Sequence, residues 1–305
     1  MTMGVAQPAG VSDGEQLVVA PVRHVGRWIA ALLVLGVVAY VVTAFAGADI
    51  DYAVIPRYLT SSLIIEGLRG TILLTAAAMT LGLAVGVVVA VMRQSENPVL
   101  RWTAATYVWF FRGVPVLVQL LIWFNLALVI ETVHVPLVYE GSTNQLMTTF
   151  VAALLGLGLA EGAVMAEIVR GGMLSVESGQ VAAARALGMT PMQTMRRVIL
   201  PQAMRVIVPP TGNEVISMLK YSSLAFVVSY KELLSAANQV YVANLQVIEL
   251  LFVVTVWYLV LTTLLSIGQH LLERRLARSL GGHSDAPTLW ARIRRGVLIA
   301  PRSTA

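Results

Sequence analysis

Ionisable side chains inside long apolar segments are the residues of this chain that could do chemistry. Glu161 lies near the middle of an apolar run, and Glu167 and Arg170 lie close to its end. A charged group is costly at membrane depth and usually faces a partner, a cavity or the interior. Two interpretations of Glu161 are open: a carboxyl group satisfied by a neighbouring helix or protonated by burial, or a carboxylate that meets a cationic ligand. Glu167 and Arg170 are three residues apart, which allows an ion pair on one helix face.

No motif for covalent or hydrolytic chemistry accompanies these charges. Glycine never directly precedes lysine, so the phosphate-binding Gly-x-x-x-x-Gly-Lys loop is absent from the sequence. The sequence also lacks a His-Glu-x-x-His zinc motif and a Gly-x-Ser-x-Gly nucleophile elbow. His283, Ser284 and Asp285 are adjacent in a polar tail, and adjacency alone does not form a catalytic triad. Since the histidines are scattered and cysteine is absent, we predict no catalytic residue, no metal site and no ATP hydrolysis by this chain.

The composition is that of an integral membrane protein. Of 305 residues, 57% are hydrophobic and 12% are charged, and the mean hydropathy is +0.78. The net charge of +5 comes from arginine, because lysine occurs only at Lys220 and Lys231. The arginines cluster in particular loops, which indicates membrane orientation and contact with anionic lipid head groups rather than nucleic-acid binding.

Apolar runs long enough to cross a bilayer predict an all-α polytopic membrane protein with about six transmembrane helices and both termini in the cytoplasm. The predicted spans cover residues 28–46, 67–92, 116–130, 146–168, 206–230 and 247–271. A cleaved signal peptide is the alternative for the first span, because Ala44-Phe45-Ala46 fits a small-x-small cleavage site, but the run is long for one. Pro209-Pro210 with Gly212 predicts a break or kink early in the fifth span, and a broken helix at this depth would face a cavity.

A basic loop between the fourth and fifth spans carries the local signals of two short helices joined by a tight turn. The first helix is an alanine-rich run over residues 179–187, and Gly188 is predicted to end it in a left-handed conformation. The second helix is predicted to begin at Thr190 as N-cap, followed by a proline and by Gln193 at the capping-box spacing. Pro201 is predicted to end it. Such a loop would display a small rigid knob at the membrane surface, which is a shape suited to docking.

Several ordered motifs, spread over residues 62–275, resemble one known family. They are Phe111-Arg112-Gly113-Val114-Pro115 with Gln119, Ala166-Glu167-Ile168-Val169-Arg170-Gly171-Gly172, Gly179-Gln180-Val181-Ala182-Ala183-Ala184-Arg185-Ala186-Leu187-Gly188, Val198-Ile199-Leu200-Pro201, Asn213-Glu214, and Lys220-Tyr221-Ser222-Ser223-Leu224. The loop motif resembles the EAA loop of ABC importer permeases, and the others resemble the polar amino acid branch of that family.

The resemblance implies a type I ABC importer core of five helices over residues 62–275 and a cytoplasmic coupling helix in residues 179–201. Residues 28–46 are then an additional N-terminal helix, and residues 1–27 and 276–305 are a cytoplasmic tail and a basic cytoplasmic tail. The implied location is the bacterial inner membrane, and the implied substrate is a polar or charged amino acid. The implied partners are ABC ATPase subunits, which use ATP and Mg, a second permease subunit and an extracytoplasmic amino acid binding protein. The chain itself would bind no cofactor.

The same resemblance assigns roles to individual residues. Residues of the coupling contact are Gly179, Gln180, Ala182, Ala183, Ala184, Arg185, Leu187, Gly188, Leu200 and Pro201. Residues with structural or gating roles are Arg112, Gly113, Pro115, Gln119, Glu167 and Arg170. Position at membrane depth, rather than the resemblance, gives the residues expected along the substrate path, with packing as the open alternative for the last three: Glu161, Asn213, Glu214, Lys220, Ser222 and Ser223. On this interpretation Glu161 meets the ammonium group of an amino acid.

The sequence departs from the family pattern at three positions: Ala182 replaces the usual glutamate of the loop, Tyr221 replaces an aspartate, and Val164 replaces a tyrosine. A second, different permease subunit could carry the missing glutamate, so Ala182 favours a heterodimer. An ion-coupled secondary transporter is the alternative function, although such proteins often have repeated halves and this chain shows no repeat. A membrane-anchored scaffold or sensor would need a soluble domain, for which the sequence has no segment of sufficient length.

Overall fold

The computed structural model describes residues 25–135 and 139–278, which are helical apart from one short hairpin. The helices are α1 (Val25–Ala46), α2 (Ile55–Leu59), α3 (Ser62–Arg93), α4 (Pro98–Gly113), α5 (Val116–Phe124), α6 (Thr143–Leu146), α7 (Thr149–Leu174), α8 (Ser178–Ala186), α9 (Pro191–Thr194), α10 (Leu200–Tyr221), α11 (Leu233–Asn244) and α12 (Val247–Arg278). Strands β1 (Thr132–Val135) and β2 (Tyr139–Ser142) form the hairpin. The predicted tails, including His283, Ser284 and Asp285, lie outside the described residues except at their inner ends.

The additional N-terminal helix, α1, belongs to a unit that comprises residues 1–50. It has 22 residues and is therefore about 33 Å long, enough to cross a bilayer core. Its described side chains are exposed, and Arg27 near its start is the only charged residue of this otherwise apolar helix. These properties fit a helix surrounded by lipid, as the sequence predicts for residues 28–46.

The second unit, residues 51–305, is organised around the contact between α3 and α7. Gly82 and Gly86 of α3 let the two helices approach closely. A Cβ atom at Gly82 would lie 2.7 Å from Cγ of Glu161, and one at Gly86 would lie 2.5 Å from Cβ of Met165. Both distances are too short for a side chain, so these glycines are what allows the close packing of α3 on α7.

The third predicted span is not a straight helix over residues 116–130, so that prediction is wrong in detail. The chain forms α4 and α5, which meet at an angle of 102°. Val114 and Pro115 separate the two helices, since proline has no amide hydrogen to continue the ladder of α4. With nine residues, α5 is about 14 Å long and cannot cross a bilayer core alone.

Two elements on the predicted outer side were not expected from the sequence. The loop after α5 contains the antiparallel hairpin of β1 and β2, in which Thr132 pairs with Ser142. The segment between α10 and α12 contains α11, whose N-cap is the buried carboxylate of Glu232. Glu232 accepts hydrogen bonds from the amides of Leu234 and Ser235 at 2.8 and 2.6 Å.

The predicted helix stop at Pro201 and the predicted break at Pro209-Pro210 are both wrong. A helical path runs from Pro191 through a π-helical turn at Met195–Ile199 into α10 and on to Tyr221. Pro201 comes just after the π-helical turn, so this proline falls at an irregular turn that continues into α10 instead of ending the helix. Pro209 and Pro210 lie inside α10, and the carbonyl of Pro209 accepts a hydrogen bond from Gln269 of α12 at 3.3 Å.

Gly212 serves helix packing rather than a helix break. A Cβ atom at this position would lie 3.0 Å from Cγ of Gln269, so the glycine lets α12 approach α10.

Within the described residues, α1, α3, α7 and α12 are each long and apolar enough to cross a membrane, and the bent pair of α4 and α5 is a fifth candidate span. The remaining predicted span corresponds to α10, whose 22 residues include Arg205, Glu214 and Lys220. Its core contacts with α7, α3 and α12 place it inside the bundle. The protein is therefore a polytopic all-α membrane protein, as predicted.

Candidate functional site

A cavity of about 510 Å³ lies between the bend of α4 and α5, the middle of α7 and the second half of α10. It is lined by two carboxyl groups, those of Glu161 and Glu214, and by Arg112 at the end of α4. The other lining residues are mostly apolar and include Leu157 and Met218. This arrangement has the size and polarity of a site for a small molecule with a cationic group.

Glu161 is the most unusual group in this cavity. The residue is 4% exposed, and its Oε1 atom has no hydrogen-bond partner among residues 25–135 and 139–278. A buried polar atom without a partner is rare in native proteins and calls for an explanation. The Glu161 side chain packs against Gly82 of α3 and also lines the cavity. A ligand in the cavity could therefore supply the missing hydrogen-bond donor.

The bend between α4 and α5 is held by Gln119, a residue for which the sequence predicts a structural or gating role. Its Nε2 atom donates to the carbonyls of Phe111 and Val114 at 3.0 and 2.8 Å. The side chain is buried, and it satisfies carbonyls where the regular helix ends. The Phe111–Pro115 motif thus forms one wall of the cavity, with Arg112, Gly113 and Pro115 among the lining residues.

A cluster of charges ties the ends of α3 and α7 together. Glu167 accepts hydrogen bonds from Nε and Nη2 of Arg170 at 2.9 and 2.7 Å, as the three-residue spacing predicts. Its other carboxylate oxygen accepts a hydrogen bond from Arg93 of α3. Sequence reasoning missed Arg93, which is 74 residues away at the end of α3, because the pairing depends on which helices pack together.

The other residues expected along the substrate path do not line this cavity. Asn213 accepts a hydrogen bond from Gln269 at 2.9 Å. Ser222 and Ser223 donate to the carbonyls of Leu219 and Lys220, both at 2.7 Å, and Lys220 itself is exposed. Of the six expected residues, the structure therefore brings only Glu161 and Glu214 together in the cavity.

The first helix and the turn of the predicted docking knob have the geometry that the sequence indicates, although its second helix does not end at Pro201. The first helix is α8, and Gly188 follows it with a φ of 76°. Thr190 and Gln193 form a complete capping box at the start of α9. Gln202 of α10 donates to Oε1 of Gln180 at 2.5 Å and so joins α8 of the knob to α10.

The outer surface of the knob is mostly exposed. Leu187 is 82% exposed and lies beside the turn at Gly188. Ala182, Ala183 and Arg185 are also exposed, whereas Ala184 is buried. An exposed leucine on a rigid projection is a suitable anchor for a hydrophobic pocket in a partner.

Comparison with known proteins agrees with this architecture. Residues 82–278 match the family of binding-protein-dependent transport system inner membrane components. The chain is 39% identical to the arginine transport system permease protein ArgU of Corynebacterium glutamicum over 289 residues, which cover 91% of this chain and 92% of that protein. It is 31% identical to the glutamine transport system permease protein GlnP of Escherichia coli, over 70% of this chain and 93% of that protein.

A solved structure has the same fold. The crystal structure of an amino acid ABC transporter with histidines contains a chain that is 33% identical, with a TM-score of 0.65. The match covers 75% of this chain and 100% of that one. The bundle is thus that of an inner membrane permease of the ABC transporter class. This chain belongs to the family of binding-protein-dependent transport system inner membrane components.

Proposed function

We propose that this chain is the permease subunit of an ATP-driven importer of amino acids with a cationic side chain. The cavity between α5, α7 and α10 carries the proposal, because Glu161, whose buried Oε1 atom has no hydrogen-bond partner among the described residues, lines it together with Glu214 in an otherwise mostly apolar wall. Two carboxylates attract a guanidinium or imidazolium group, and Arg112 at the rim is suited to the substrate carboxylate. The relative named for arginine transport and the transporter solved with histidines support the same substrate class.

The proposed energy source is a separate pair of ATPase subunits that bind ATP and Mg. The knob of α8 and α9, with Leu187 at its tip, is the proposed contact with them. Because the helical path continues from Pro191 to Tyr221, movement of the knob would be passed directly to Glu214. The ATPase subunits would then bias the permease between two states by their differential affinity for ATP.

The proposed assembly contains two further proteins. An extracytoplasmic binding protein would deliver the amino acid to the outer face. A second permease subunit would complete the path, and Ala182 favours a homologue that carries the glutamate of the EAA motif rather than a second copy. The proposed orientation places both termini in the cytoplasm, on the side of the knob.

The assembly is tested by purifying the tagged full chain from its native membrane in mild detergent and identifying the accompanying proteins by mass spectrometry. We expect an ABC ATPase and a second permease subunit in the eluate. If no ATPase accompanies the chain even when nucleotide is trapped, and uptake is independent of ATP, the ion-coupled secondary transporter is the better description.

The substrate class is tested with the purified assembly reconstituted in proteoliposomes. Glu161→Gln keeps the shape of the side chain and removes its charge, so we expect the KM for arginine to rise about tenfold or more. Glu96→Gln, an exposed carboxylate between α3 and α4, is the matched control. An unchanged affinity and rate in Glu161→Gln would exclude this carboxylate from substrate binding.

A further inference from the structure

A second cavity, of about 850 Å³, lies in the same bundle, shares no lining residue with the first cavity and plays no part in the proposed transport path. It lies between the arginine-rich ends of α3, α7 and α12 and the segment from α9 to α10. Four methionines contribute to its wall, and we call it the methionine groove: Met173, Met192, Met195 and Met204.

The methionine groove is lined almost entirely by apolar side chains, so an occupant needs no polar group to bind there. Thr211 is the sole polar side chain among its lining residues, and its hydroxyl already donates to the carbonyl of Ile207 at 2.8 Å. Methionine side chains are flexible and polarisable, so they adapt to chains of variable conformation. A hydrocarbon chain therefore fits this wall better than an amino acid or a nucleotide does.

Three arginines lie on the helical segment that forms one side of the groove. Arg196 directly follows Met195, Arg197 is the next residue, and Arg205 directly follows Met204. All three side chains are exposed, and none has an acidic partner in an ion pair within the described parts of the chain. Exposed guanidinium groups beside a membrane attract anionic head groups.

We propose that the methionine groove binds an anionic phospholipid from the leaflet at the arginine-rich end, with an acyl chain in the groove and the phosphate on these arginines. Charge complementarity with the three arginines selects this occupant over a zwitterionic lipid, and a protein helix is the alternative that the second test distinguishes.

The position of the groove gives the lipid a consequence for the docking knob. Pro191 and Met192 of α9 form part of the wall, opposite Val91 of α3 and Met173 of α7. A bound acyl chain would contact both the knob and the membrane bundle, and would hold the knob in one position relative to α3 and α7. The lipid would therefore act as a regulator of coupling rather than as a transported molecule.

The first test is native mass spectrometry of the purified full chain mixed with phosphatidylglycerol or with phosphatidylcholine of the same acyl chains. We expect at least one tightly bound phosphatidylglycerol, retained about tenfold more often than phosphatidylcholine. Arg196→Gln, Arg197→Gln and Arg205→Gln should each lower phosphatidylglycerol binding by up to about fivefold. Arg101→Gln, an exposed arginine of α4, is the matched control and should have no effect.

The second test fills the groove. Met204→Trp should abolish binding of the tight lipid, whereas Leu259→Trp on an exposed part of α12 should leave it bound. Equal retention of both lipids, or unchanged binding in all three arginine variants, would overturn the proposal. It would also be overturned if Met204→Trp disrupts association with a second permease subunit and leaves lipid binding unchanged, since a protein helix would then be the occupant.

Discussion

Gly82 of α3 and Glu161 of α7 are in such close contact that a methyl group at position 82 would lie 2.7 Å from Cγ and 2.8 Å from Cβ of the glutamate. The glycine therefore sets the position of the carboxyl group that lines the central cavity. This contact affects both helix packing and the proposed substrate binding, because any displacement of α7 from α3 moves Glu161 as well.

Gly82→Ala should lower both stability and substrate affinity. The added methyl group must displace the Glu161 side chain or the α7 backbone, and overpacking of this kind costs about 1–3 kcal/mol. Thermal unfolding of the purified chain in detergent measures the first effect, and the KM for arginine in proteoliposomes measures the second. Gly268→Ala is the control, because no atom lies within 4 Å of the added methyl group. Equal melting temperatures for the two variants would contradict the described packing of α3 on α7.

The charge cluster at the ends of α3 and α7 predicts an interaction energy between Arg93 and Glu167. Their side chains are 26% and 23% exposed, so solvent screens the pair only in part. A double-mutant cycle with Arg93→Gln and Glu167→Gln should give a coupling free energy of about 1 kcal/mol in thermal or denaturant unfolding. The coupling should decrease at high salt. Additive effects of the two substitutions would show that the ion pair does not connect α3 to α7.

Local features of this protein were predictable from the sequence. The capping box of Thr190 and Gln193, the left-handed Gly188 and the pair of Glu167 with Arg170 each depend on residues within a few positions of one another. The apolar runs likewise predicted the long helices. A helix that faces lipid needs a long apolar run but no periodic pattern of polar residues, so the length of the run is sufficient evidence.

Features that depend on tertiary contacts were not predictable. Arg93 reaches Glu167 across 74 residues, and Gln269 of α12 donates to a carbonyl of the Pro209-Pro210 segment that sequence reasoning treated as a break. The rotation of α10 decides that Glu214 lines the cavity while Asn213 contacts α12, and a single sequence does not fix that rotation. The docking knob was predicted better than the cavity because its geometry is local.

The raised pKa of the Glu232 carboxyl group predicts that the stability of the folded protein depends on pH. Burial raises the pKa of its carboxyl group from 4.5 to about 7, although hydrogen bonds from the Leu234 and Ser235 amides and the Tyr258 hydroxyl oppose the shift. The folded protein therefore holds this proton more tightly than the unfolded chain does. The contribution to stability is complete below about pH 4.5 and is lost as the pH rises through 7, by about 3 kcal/mol in total.

The measurement is the melting temperature of the purified chain between pH 5 and pH 8, compared with Glu232→Gln. The wild-type melting temperature should fall across this range, whereas the variant, which has no titrating carboxyl group at the N-cap of α11, should show a flatter profile. Parallel profiles would assign the pH dependence to other groups.

Substitutions at Gly188 can test the effect of a charge on the docking knob separately from an effect on its conformation. Its φ of 76° favours glycine, but asparagine and aspartate tolerate this region better than other residues, and no atom of the chain lies within 4 Å of an added Cβ. Gly188→Asn and Gly188→Asp should therefore cost less stability than other substitutions at this position, and should lower the melting temperature of the chain by a similar small amount. The two variants have similar shape and differ in one negative charge.

In the reconstituted assembly, Gly188→Asn should retain most of the ATP-driven uptake, whereas Gly188→Asp should lower uptake at least tenfold while ATP hydrolysis continues. The reason is that a carboxylate placed in a docking contact loses its water without gaining a partner, which costs several kcal/mol. Uptake and hydrolysis are measured in the same proteoliposomes, so a loss of coupling is distinguished from a loss of the complex. If the aspartate variant imports as fast as the asparagine variant, the turn at Gly188 does not lie in the contact with the ATPase.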